Sequence, residues 1–157
     1  MVTVPWRRTR AREALPAAGV LLASTGKPFT AAAIAAAARL AAAQDGTRVR
    51  VITVARVHGS AWGLQHPGLL PNKKEKDAAQ AIVTTAIKQL QRNGLKADGE
   101  VVITRSPAKS FTRAAKAAGV THMVVSEPGT TRLGRLAAWT AARYLRFRLP
   151  DIALAIT

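Results

Sequence analysis

The stretch VVITRSPAKSFTRAAKAAGVTHMVVS, residues 101–126, decides the architecture. It opens on a β-branched run that reads as a strand, ending near Thr104. Ser106-Pro107 then starts a helix, since proline is tolerated in a first helical turn where its missing N–H has no partner to lose. Gly119 closes that helix at about Ala118, and HMVVS, residues 122–126, follows as a short apolar strand. A strand, a crossover helix and a second strand make a parallel pair, because the helix carries the chain back to the starting edge.

The same alternation extends in both directions. Upstream, GVLLAS (19–24) is a continuous apolar run, as expected of a strand covered on both faces. Thr25-Gly26-Lys27-Pro28 is a turn, and a helix runs over about 29–43 until Asp45-Gly46 stops it. VRVITVARV (49–57) is a strand, 58–72 is a loop rich in Gly and Pro, and 73–92 is a helix with Ile82, Ala86 and Leu90 on one face. Downstream, a glycine-containing loop leads into a long helix reaching about residue 148, and 151–156 is a last strand. The expectation is a single α/β domain over 18–157, with a five-stranded parallel sheet in the order 3-2-1-4-5 and helices on both faces. Residues 1–17, containing Trp6 and Arg7, Arg8, Arg10 and Arg12, read as a flexible basic arm rather than a leader, because Pro16 and Gly19 interrupt the apolar run behind them. No segment is long and apolar enough for a membrane span, so no membrane insertion and a cytoplasmic setting are expected.

Charge is the least ordinary property. The 157 residues carry 24 Lys and Arg against 8 Asp and Glu, a formal net charge of +16. Such a field costs stability by self-repulsion, which points to an anionic partner: nucleic acid first, then an acidic protein or a membrane surface. A compositional bias toward arginine and alanine is the bland alternative. Cysteine is absent, which excludes disulfides, thiol catalysis and thiolate zinc sites.

The order of elements over about 18–157 resembles the universal stress protein family. The likeness lies in LLASTGKPFTAAAIAAAARLA, in TRSPAKSFTRAAKAAGVTHMVVS, and in Pro150 ahead of a terminal apolar strand. The resemblance implies ATP binding through Gly, two residues, Gly, nine residues, then Gly and a hydroxyl, with backbone amides meeting phosphates. This chain has Ser126, two residues, Gly129, nine residues, then Trp139-Thr140. The middle glycine and the hydroxyl survive, whereas Ser126 and Trp139 replace the flanking glycines. The family's aspartate after the first strand is Ser24 or Thr25, and the glycine before its proline motif is Arg105. The candidate nucleotide site is therefore Ser24, Thr25, Arg105, Ser126, Gly129 and Thr140, in a degenerate form that disfavours ATP, with Lys27 and Arg105 able to attract phosphate. The resemblance also implies that the terminal strand can pair across a homodimer.

Catalysis is not expected. His58, His66 and His122 are scattered, Asp98 and Glu100 open a strand, and Glu75 and Asp77 serve a helix dipole. The last helix is more telling. At about 100° per residue, Arg132, Arg135, Trp139, Arg143 and Arg146 share an arc of about 80°, with Leu133, Leu136, Thr140 and Tyr144 assigned to a core-facing arc. Guanidiniums pair with phosphates through a planar fork, and an indole stacks on an unpaired base. Lys73, Lys74 and Lys76 stand at a helix start, where the dipole repels them, and Trp62 lies in the glycine-rich loop. The reading is a non-catalytic domain that binds structured RNA or the ribosome through Arg7, Arg8, Arg10, Arg12, Lys73, Lys74, Lys76 and the last-helix row. Binding of ATP or a cyclic nucleotide, or of an acidic protein, are the alternatives.

Overall fold

The computed structural model describes residues 17–56, 71–126 and 132–157, with side chains in the last span described from Thr140 onward. The basic arm with Arg7, Arg8, Arg10 and Arg12, the loop with Trp62, Gly129, and the side chains of Arg132, Arg135 and Trp139 lie outside the described residues.

The element order is β1 (Val20–Ser24), α1 (Ala31–Ala42), β2 (Val49–Arg56), α2 (Lys73–Arg92), β3 (Ala97–Thr104), α3 (Pro107–Ala118), β4 (His122–Ser126), α4 (Arg132–Arg148) and β5 (Ala153–Ile156). The sheet order is β3-β2-β1-β4-β5 and every pairing is parallel, as the alternating pattern requires. One boundary moves appreciably. β3 begins at Ala97 rather than Val101, because Asp98 and Glu100 pair in register with Arg50 and Ile52 of β2, and sheet pairing overrides their weak strand preference.

Local chemistry places the helix ends. The Thr30 side chain accepts from the Ala33 N–H and caps α1. At α2, Asn72 and Glu75 form a reciprocal capping box: the Glu75 amide donates to Asn72 Oδ1 at 2.9 Å, and the Asn72 amide donates to Glu75 Oε2 at 2.8 Å. Pro107 begins α3 and Gly119 ends it in the left-handed region.

The period-two alternation of the strands sorts the core into two layers. Leu21, Ala23, Ile52, Val54, Met123 and Val125 face α3 and α4, where Phe111, Ala115, Leu145 and Leu149 cover them. Val20, Leu22, Val49, Val51 and Val124 face α1 and α2. Gly99 lets α2 settle close to β3: a Cβ there would stand 2.8 Å from Val83 Cγ1 and 2.5 Å from the Val51 carbonyl.

One buried charge interrupts the α3–α4 layer. Arg50 is 5% exposed on β2, with its Nε 2.8 Å from Asp98 Oδ1, while Arg48 Nη1 reaches Asp98 Oδ2 at 3.0 Å. The Arg50–Asp98 contact is close but poorly aligned, so Arg50 Nε and Nη2 have no hydrogen-bond partner.

Candidate functional site

In an open parallel sheet the crevice for a ligand lies beyond the carboxyl ends of the strands where the strand order reverses, here between β1 and β4. Ser24 and Ser126 are register partners across that boundary, and both are fully buried. Their hydroxyls are occupied within the fold. Ser24 Oγ donates to the Lys27 carbonyl at 2.7 Å and, with its single proton so used, accepts from the Thr53 hydroxyl at 2.8 Å. Ser126 Oγ accepts from the Thr30 N–H at 3.2 Å and ties the end of β4 to the start of α1. The two serines thus shape the floor of the crevice and offer it no side-chain contact through these bonds.

The first residue beyond β1 is Thr25, half-buried, and it takes the place where the family resemblance implies a carboxylate. Gly26 turns the chain with φ of 87°, passing so close to β2 that a Cβ would lie 2.6 Å from the Val54 carbonyl. Lys27 on this turn and Arg105 just after β3 are exposed. Thr25, Phe111, Val125, Ala142, Leu145 and Ile156 line an apolar recess under α3 and α4. It holds about 40 Å³, room for a water or two and too little for a purine ring.

Two expectations change here. Thr140 does not face the core. It is exposed, and the buried side of α4 is made by Ala142, Leu145 and Leu149. Thr140 also sits in the third turn of α4, about 12 Å from the first residue of the helix. Phosphates are held at a helix N-terminus, where backbone N–H groups lack partners. A hydroxyl so far along the axis cannot complete such a cradle.

Among the described residues, the basic groups of α2 and α4 are not gathered into one patch. Lys73 and Lys74 are exposed and Lys76 is half-buried at the start of α2, on the α1–α2 face near the carboxyl end of the sheet. Arg143 and Arg146 are exposed in the second half of α4, on the opposite face and toward the amino end. The crossover geometry imposes this separation, since helices run back against the strands they join. Among the described residues, no group of three or more His, Asp or Glu side chains is placed to hold a metal ion. No described helix is long and apolar enough to cross a membrane.

The capping box at α2 was available in the sequence as Asn72-Lys73-Lys74-Glu75. The Ser24–Thr53 pair was not, because it joins residues from separate strands.

The model of the universal stress protein family matches residues 19–146. The chain belongs to the universal stress protein family. No curated protein sequence matches it. Among solved structures, the chain resembles the Archaeoglobus fulgidus universal stress protein in complex with dAMP, with a TM-score of 0.63 at 12% identity, covering 90% of this chain and 98% of that one. A universal stress protein in complex with cAMP gives 0.60 at 18% identity, covering 90% and 97%. A family member from Burkholderia pseudomallei gives 0.62 at 20% identity, covering 88% and 95%. These likenesses establish the shared fold and agree with the strand order found here.

The buried hydroxyl pair of this universal stress protein domain can be tested directly. Ser24→Ala should cost about 1–3 kcal/mol of unfolding free energy, because it strips Thr53 of its acceptor in a fully buried position. Adding Thr53→Val should recover part of that loss in urea denaturation. A double variant less stable than the single one would show that the pair does not act as a unit.

Proposed function

We propose that this protein is a non-catalytic, cytoplasmic universal stress protein domain whose crevice between β1 and β4 binds an adenine nucleotide carrying a single phosphate. The observation that carries this reading is the divided state of the site. The strand order reverses between β1 and β4, Thr25 follows β1 at that point, and the exposed Lys27 and Arg105 follow the carboxyl ends of β1 and β3. The polyphosphate side is weakened, with the Ser126 hydroxyl turned into the fold and Thr140 far down α4. Related folds carry dAMP and cAMP, which have one phosphate each. One phosphate needs one or two cations at the rim, whereas a triphosphate needs the longer cradle.

Calorimetry with AMP, cAMP and ATP tests this. AMP or cAMP should bind at least as tightly as ATP. A tenfold preference for ATP, or no heat with any of the three, overturns the reading.

A second reading, that nucleic acid binds to the basic surface, is favoured by the exposed arginines of α4 and the formal charge of +16. On this reading α2 lies on the opposite face from α4, so Lys73, Lys74 and Lys76 are not counted with the α4 arginines.

A further inference from the structure

Phe147 is 81% exposed, far more than any other large apolar side chain among the described residues; Ile156 and Ile103 follow at 41% and 36%. Its direction is set by the helix that carries it. Ala142, Leu145 and Leu149 bury α4 against the sheet, and at about 100° per residue Phe147 points roughly 170° away from their mean direction. Nothing in the packing of α4 calls for an aromatic ring at that pole.

Its neighbours are cationic. Arg143 lies one turn before Phe147 on the same side of the helix, and Arg146 and Arg148 flank it in sequence. All three are exposed. The Arg148 guanidinium lies 5.6 Å from the centroid of the Tyr144 ring, a cation–π distance that holds this arginine alongside the helix. The helix dipole accounts for arginines in a last turn, but not for an outward phenylalanine among them.

The charge selects the occupant. A second copy of the chain meeting this pole about a two-fold axis would set arginine against arginine. An anionic membrane would also welcome the arginines, but among the described residues Phe147 is the one strongly exposed apolar side chain of α4, and one ring gives little insertion. A single-stranded polyanion with unpaired bases matches both components: phosphates for the planar guanidiniums and a base face for the ring.

We infer that the last two turns of α4 form a stacking platform for single-stranded nucleic acid, with Phe147 beneath an unpaired base and Arg143, Arg146 and Arg148 on the flanking phosphates. This inference rests on the second reading above and adds Phe147 as a stacking ring.

The test is fluorescence anisotropy with a labelled single-stranded RNA of mixed sequence and with its duplex, over a range of salt, using the full chain. Phe147→Ala should weaken single-strand binding roughly 5- to 150-fold with an unchanged salt slope, and should leave duplex binding and the melting temperature nearly unaltered. Phe147→Trp should retain wild-type affinity. Arg143→Glu with Arg146→Glu should weaken both ligands and flatten the slope, since fewer counterions are released. If the wild type binds neither ligand, the nucleic-acid reading and the platform fall together. If it binds the single strand and Phe147→Ala binds equally well, the platform alone falls. Loss of phosphatidylserine-vesicle binding or of a dimer in Phe147→Ala, with RNA affinity intact, also overturns the platform and assigns the ring to a membrane or to a second copy.

Discussion

Asp98→Ala is expected to lower the stability of the folded domain by about 3 kcal/mol, measured by urea denaturation at neutral pH. The Asp98 carboxylate stands between Arg48 and Arg50, at 3.0 and 2.8 Å. Arg50 is nearly inaccessible to water, and its Nε and Nη2 already lack hydrogen-bond partners. Removing the carboxylate leaves that cation buried beside a second one, and an uncompensated buried charge is far costlier than a lost surface pair. The side chains of Arg48 and Asp98 keep 33% and 28% of their exposure, so solvent screening holds the cost near the lower end of the range for buried pairs. The sharper part of the prediction is the recovery. Arg50→Met added to Asp98→Ala should restore most of the lost stability, because an apolar side chain of similar length suits the layer shared by Leu21 and Ile52. If Asp98→Ala alone is neutral, the cluster is solvated in a way the distances do not imply.

Gly26→Ala is expected to cost about 2–4 kcal/mol and to weaken nucleotide binding as well. Two penalties combine at this position. The backbone has φ of 87°, which a residue with a Cβ adopts only with strain, and the added Cβ would lie 2.6 Å from the Val54 carbonyl, a backbone atom with little room to yield. Gly119→Ala is the control. Its φ of 64° is also left-handed, but nothing lies within 4 Å of the added carbon, so only the conformational cost of about 1 kcal/mol should appear. The difference between the two melting curves isolates the contact with β2. The same displacement would shift the turn that carries Thr25 and Lys27, so calorimetry on Gly26→Ala should show weaker AMP or cAMP binding. Equal losses at the two glycines would mean that the turn simply moves away from β2.

Much of the fold was legible because it rests on patterns within short segments. Runs such as VLLAS and HMVVS show strands covered on both faces. Thr30, Asn72, Pro107 and Gly119 mark helix ends by their own chemistry. Alternation of the two element types leaves a parallel sheet as the consistent arrangement, and the observed order β3-β2-β1-β4-β5 agrees. The family followed from the spacing of the same segments, and the match over residues 19–146 supports it. The candidate site was legible only as a set of positions.

Tertiary structure decided what those positions do. Serine at the ends of β1 and β4 could equally face a ligand or the fold, and only the placement of Thr53, Lys27 and Thr30 turns both hydroxyls inward. The nine-residue spacing to Thr140 keeps the family's count, but a hydroxyl binds phosphate by its position in space, and α4 carries Thr140 into its third turn. Periodicity grouped Thr140 and Tyr144 with the core and overlooked Phe147, because a helical wheel gives angles between side chains and leaves open which angle faces the sheet. That direction is fixed by contacts of Leu145 and Leu149 with strands distant in sequence. Likewise, lysines of α2 and arginines of α4 look alike in a count of charges, and the crossover connections put them on opposite faces of one sheet. Sequence determined which elements form and in what order, since those depend on neighbours along the chain. Which side chains meet, and which are left facing solvent, depended on neighbours across it.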